Sequence, residues 1–189
     1  MNTCRSGIRI VSLALLVTAF LLISPVSKAA AGDDPAPFSK LLSQAKGQAL
    51  QLSEDTSEME SLAQAPVSWR AHVDAVDQIK VDVNLMGRQL AKLAEVQDSA
   101  FPWQKTAIDQ ITPLLQKLAS NTTVVIEDLN EGPSRQNAGD YKAYLEANDN
   151  DAAQLSSLIS EFVDYGKTKL RLDRLTDQLE YPPAPIKAP

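Results

Sequence analysis

The sequence predicts an all-α protein, an up-down-up-down bundle of four long antiparallel helices. Three observations carry that fold class. Four apolar stripes recur at gaps of three and four residues, no stretch alternates apolar and polar in the manner of a strand, and the links between stripes are short enough to favour antiparallel neighbours.

The first stripe runs Phe38, Leu42, Ala45, Ala49, Leu52, Thr56, Met59, Ala63, the heptad spacing that keeps one face inward. Pro66 ends it, and Ser68 is placed to cap the next helix by accepting from a free backbone N–H. In the second stripe Trp69, Val76, Val83 and Leu90 fall seven apart, with His72, Ile79, Met86, Leu93 and Ala100 between them. Asp74, Asp77, Asp82, Arg88 and Lys92 lie off that seam, and the helix is expected to reach about Ala100, where Pro102 forces a boundary. The third stripe is Ile108, Ile111, Leu115, Leu118, Thr122, Val125, Leu129, widened by Leu114 and Ile126. Its period does not slip across Pro113, which predicts one helix kinked at the proline rather than two helices.

Residues 130–139 form the long internal loop, after which Asp140 is the expected cap of the last helix. Tyr141, Leu145, Ala152, Leu155, Leu158, Ile159, Phe162, Tyr165, Leu172, Leu175 and Leu179 follow. Asn148, Asp149, Asn150 and Asp151 are poor helix formers in a row, so either one helix or a short helix followed by a long one fits. An unbroken helix would come level with the start of helix three near Lys167 and project about 18 Å beyond it. The projecting leucines need cover. Partial cover by the end of helix two is favoured, with the remaining leucines and the basic cluster forming a contact surface.

The ends read differently. Arg5 and Arg9 precede an apolar run over residues 10–23, Pro25 breaks it, and small residues at Ala29 to Ala31 suit a signal peptidase. The run is shorter than the roughly 20 residues of a spanning helix, so residues 1–31 read as a cleaved signal peptide, with an uncleaved anchor as the alternative. Residues 32–37 read as a disordered linker, residues 38–180 as the bundle domain, and residues 181–189 as a Pro-rich disordered tail. The lone cysteine, Cys4, lies in the leader, so no thiol or cysteine-ligated metal is expected in the exported chain, and no membrane span after cleavage.

Charge narrows the function classes. Beyond the leader stand 15 basic and 24 acidic residues, a net of −9 with His72 neutral. That balance opposes generic binding to nucleic acid or anionic lipid. No nucleophile elbow, phosphate loop or dinucleotide fingerprint is present, and no catalytic residue, cofactor or metal ligand set is expected. His72 with Met59 is the one pairing that suggests haem iron or copper, and the expected role of His72 is a hydrogen-bonded structural one. The acidic turn at residues 148–151 fails the calcium-loop pattern: from Glu146, its sixth and twelfth positions are Asp151 and Ser157 rather than Gly and Glu. Asn121-Thr122-Thr123 matches a glycosylation acceptor but lies on a helical stripe.

Lys167, Lys169, Arg171 and Arg174 form the one local basic cluster. Lys169 is placed to pair with Asp173, and Arg174 with Asp177. The candidate partner surface is Lys167, Leu170, Arg171, Leu172, Arg174, Leu175 and Leu179.

Residues 66–93, 119–131 and 156–169, the last including Glu161-Phe162-Val163-Asp164-Tyr165-Gly166, resemble uncharacterised exported helical-bundle proteins of bacteria. The resemblance implies export and a helical fold and transfers no functional residue. The expected function is an exported, non-enzymatic interaction or structural protein, periplasmic or secreted, meeting a protein partner or itself. The alternative is a bundle binding a small ligand, metal or haem.

Overall fold

The computed structural model describes residues 36–97, 100–134 and 139–180, all within the compact unit Asp33–Pro189. The expectations for the leader, residues 32–35 of the linker and the tail lie outside the described residues. Four helices carry the fold: α1 (Ala36–Gln64), α2 (Trp69–Glu95), α3 (Pro102–Asn130) and α4 (Gly139–Glu180). There is no strand among the described residues.

The packing runs round a ring, α1 against α2 and α4, and α3 against α2 and α4. Contacts far apart in sequence fix the directions. Trp69 Nε1 at the start of α2 donates to Leu129 O near the end of α3, and His72 meets Tyr141 at the start of α4. At the other end Gln89 Nε2 of α2 donates to Leu41 O of α1, Phe38 of α1 packs edge-on to Trp103 of α3, and Trp103 packs edge-on to Tyr165 of α4. Starts of α1 and α3 thus share one end, starts of α2 and α4 the other, which is the up-down-up-down bundle.

Every member of the first and third stripes is buried. In α2, His72, Val76, Ile79, Val83, Met86 and Leu93 are buried, with Trp69 and Leu90 half-buried beside them. Burying a large apolar side chain contributes about 1.5–3 kcal/mol, so this core offsets the ordering of a chain whose single cysteine, Cys4, cannot form an intrachain disulfide.

Local chemistry sets the helix ends. Ala36 and Pro37, expected in the linker, instead open α1; proline suits a first turn because its missing N–H has no helical partner to lose. Ser68 caps α2 by accepting from Ala71 N at 3.3 Å, as its position predicts. α2 stops at Glu95, short of Ala100, with Gln97 N bonding back to Ala94 O. Beyond Leu93 the seam offers nothing large to bury, and Pro102 starts a new helix in which Phe101 N donates to Gln104 Oε1 at 2.7 Å. α3 passes through Pro113 without interruption. Pro113 and Asp109 both face solvent, so the carbonyl that loses its N–H partner can bond to water. Gly132, with φ of 120°, takes the left-handed turn that stops α3.

α4 is one helix, and residues 148–151 do not break it. Asn148 and Asp151 turn inward and find partners on α3. Asn148 Nδ2 donates to Thr122 Oγ1 at 3.3 Å, Lys117 Nζ lies 2.8 Å from Asp151 Oδ1, and Asn121 Nδ2 donates to Asp151 Oδ2 at 3.3 Å. These bonds hold side chains whose competition with the backbone makes them poor helix formers. Asp140, expected as the cap, lies inside the first turn, because the helix starts at Gly139; its carboxylate accepts from Tyr141 N at 3.1 Å.

Candidate interaction surface

α4 is far longer than the helices beside it: 42 residues against 29 for α1 and 29 for α3. Its buried face runs Tyr141, Leu145, Asn148, Ala152, Leu155, Ile159, Val163, Gly166. Gly166 is the last of these because there the helix crosses the first turn of α3. A Cβ at this position would lie 2.9 Å from the Trp103 indole, closer than van der Waals contact permits, so only glycine lets α4 and Trp103 meet. Beyond it residues 167–180 project as about 21 Å of helix.

The favoured cover by α2 does not occur, because α2 ends five residues early and the segment passes α1 and α3 instead. Lys167 and Leu170 border a small hollow with Ser39, Leu42 and Ser43 of α1, which leaves Leu170 37 % exposed. Leu172, Leu175 and Leu179 are 62 %, 45 % and 83 % exposed. Among the candidate residues, then, Lys167 and Leu170 lie at the base of the projection, and Arg171, Leu172, Arg174, Leu175 and Leu179 stand free along it. Lys169 pairs with Asp173 at 3.5 Å as its spacing predicts, and Lys167 with Asp164 at 3.8 Å. Arg174 and Asp177 make no ion pair among the described residues.

The exposed leucines do not continue the buried face. Leu158, Tyr165, Leu172 and Leu179 fall seven apart, each one residue from the buried line at Ile159 and Gly166, and so about 100° round the helix from it. This second face opens onto a groove of about 430 Å³ between α3 and α4, lined by Trp103, Thr106, Gln110, Leu158, Glu161, Phe162 and Tyr165. An apolar helical face thus runs from an aromatic groove out along a free helix end, bordered by cations at its base.

Several other polar groups find partners inside the bundle. His72 Nδ1 and the Tyr141 hydroxyl share a hydrogen bond at 2.9 Å in the core. Burial, and then Lys142, holds His72 below its ordinary value, while burial and Asp128 push the Tyr141 hydroxyl up. No three His, Cys, Asp or Glu side chains among the described residues converge to hold a metal ion. Asn121 faces Asp151 and Thr122 Oγ1 donates to Leu118 O at 2.8 Å, so the glycosylation motif is built into α3.

One pair escaped the sequence reading. Asp82, expected off the seam, is buried on α2 close to Asp55 of α1. Each acid also accepts from a glutamine one turn earlier, Asp55 from Gln51 at 2.9 Å and Asp82 from Gln78 at 3.0 Å. Burial first, then the bond to Asp55 and its charge, pushes the Asp82 carboxyl up to about 6 against the pull of Gln78. The repeated Gln-x-x-x-Asp on neighbouring helices was the available signal.

A scan against protein-family models, a search of curated proteins and a search of solved structures each return no match to this chain. Among the described residues, no helix is long and apolar enough to cross a membrane.

Proposed function

We propose that this protein is an exported, non-enzymatic helical bundle of the cell envelope or exterior, and that it works by contact through the free end of α4. The observation that carries this reading is the second apolar face of α4, with Leu172, Leu175 and Leu179 exposed on a segment that contributes almost nothing to the core. Water-exposed leucines at heptad spacing on a helix without neighbours are the usual form of a surface awaiting another helix or groove. The leader-like residues 1–31 and the resemblance to exported bacterial bundles support export. The rival reading, a ligand- or metal-binding bundle, rested on His72 with Met59. It loses support because His72 Nδ1 is taken up by a hydrogen bond with the Tyr141 hydroxyl in the core.

A photo-crosslinking residue at Leu175, compared in intact cells with one at the exposed, isolated Val81, tests the reading. A discrete protein adduct from position 175 alone is expected. Equal labelling from both positions, or none from 175, would overturn it.

A further inference from the structure

Resting on that reading, we propose that the free end of α4 pairs antiparallel with the same segment of a second copy of this chain, forming a two-fold symmetric homodimer. Three features of the segment select this occupant and this direction.

The first is charge order. Lys167, Lys169 and Arg171 stand at the base of the projection, and Asp177 and Glu180 at its tip. Arg171, Asp177 and Glu180 make no ion pair among the described residues. In a parallel pair like charges lie side by side. In an antiparallel pair the basic base of each copy lies beside the acidic tip of the other, and with a two-fold axis at Leu172 Asp177 falls opposite the second copy's Lys167 and Arg171 opposite its Asp173.

The second is apolar register. With the two-fold axis at Leu172, the second copy's Leu179 lies opposite Tyr165, at the mouth of the groove floored by Trp103 and Phe162. The same face then supplies both the knob and the hollow, as a two-fold interface requires.

The third is the acidity of the chain, net −9 beyond the leader. A parallel pair would hold two negative bundles side by side. The antiparallel pair, with its axis at Leu172, sets the two Gly166 positions about 18 Å apart along the helix axis, well beyond the screening length of about 8 Å at physiological salt. Two helices of this length bury less than the roughly 800 Å² per partner of a standard interface, so the dimer is expected to be concentration-dependent, on the order of micromolar or weaker.

The test uses the chain from Asp33, the compact unit that contains all four helices and no cysteine. Sedimentation equilibrium over a wide concentration range is expected to show the mass rising from one chain to two. Leu172→Asp should hold it at one chain with unchanged helicity. Cysteine placement reads the direction: Leu172→Cys, on the axis, should oxidise to a covalent dimer, while Leu179→Cys should not, its two copies lying about 21 Å apart. Leu179 is the more exposed of the two, so random collision would give the opposite order. Dimers through Leu179→Cys would overturn the antiparallel arrangement. A one-chain mass at every concentration, with no dimer through Leu172→Cys, would overturn self-pairing. If position 175 still gave an adduct to a different protein in cells, the contact surface would stand and only its occupant would change; with no adduct, both readings fall.

Discussion

The two parts of α4 obey different rules although leucines run through both of them. From Tyr141 to Gly166 one face is sealed against α1 and α3, and even its polar members, Asn148 and Asp151, find α3 partners. From Lys167 onward leucines are more frequent than before, four in 14 residues against three in 26, yet they face water. Leucine content therefore does not decide which of the two parts is buried. What separates them is whether a neighbouring helix extends alongside, and at Trp103 the neighbour ends. The first part makes the fold, and the second is available for contact.

Identical substitutions on the two parts should therefore differ sharply. Leu155→Asp places a carboxylate where the native side chain is fully buried, and a loss of about 4 kcal/mol or more is expected, read as a collapsed melting transition. A folded Leu155→Asp protein with a normal transition would break the comparison on its buried side. Gly166→Leu probes the boundary itself. Forcing a side chain against the Trp103 indole should cost about 1–3 kcal/mol, although a helix interior ordinarily gains from losing glycine. A gain in stability would mean that α4 and α3 are not in close contact there.

The buried acid pair gives a pH-dependent prediction. Asp82 binds its proton more tightly folded, about 6 against 3.8 unfolded, so its contribution is fully present below pH 3.8 and is lost as pH rises through 6. Asp82→Asn should remove that loss and be more stable than the wild type at pH 7, by on the order of 1–2 kcal/mol, with no advantage near pH 4. His72 has the opposite sign. Its folded value lies below 6.5, so its contribution is present above pH 6.5 and shrinks as pH falls below that. Denaturant titrations of Asp82→Asn and His72→Gln at pH 4, 5.5 and 7 separate the two, and a pH-independent difference for Asp82→Asn would contradict a shared proton. The smallest effect belongs to Leu172→Asp, expected to change monomer stability by no more than about 0.5 kcal/mol.

Much of this was legible in the sequence. The first three stripes named the buried residues because each face is decided by a 3.6-residue period within its own helix. Asp82 was misplaced because a period treats any charge as outward, whereas its burial depends on Asp55, on another helix. The choice at residues 148–151 between one helix and two stayed open for the same reason. Propensity is local, and the partners that overrule it, Lys117, Asn121 and Thr122, lie about 30 residues away on α3. The overhang followed from helix lengths alone, but its cover did not, since that depended on where α2 ended. The proposed contact surface was read residue by residue as an exposed stripe, without the aromatic groove at its base, because Trp103 comes from a different helix.

The central claim is that the end of α4 serves contact and not the fold. A chain ending at Leu170, which keeps the residues bordering the hollow against α1, tests it by thermal unfolding at low protein concentration beside the chain ending at Pro189. The account predicts melting temperatures within about 2 °C of each other, together with loss of the concentration-dependent rise in mass. A fall of more than about 5 °C, equivalent to more than about 1 kcal/mol in a domain of this size, would show the segment to be part of the fold and would contradict the account.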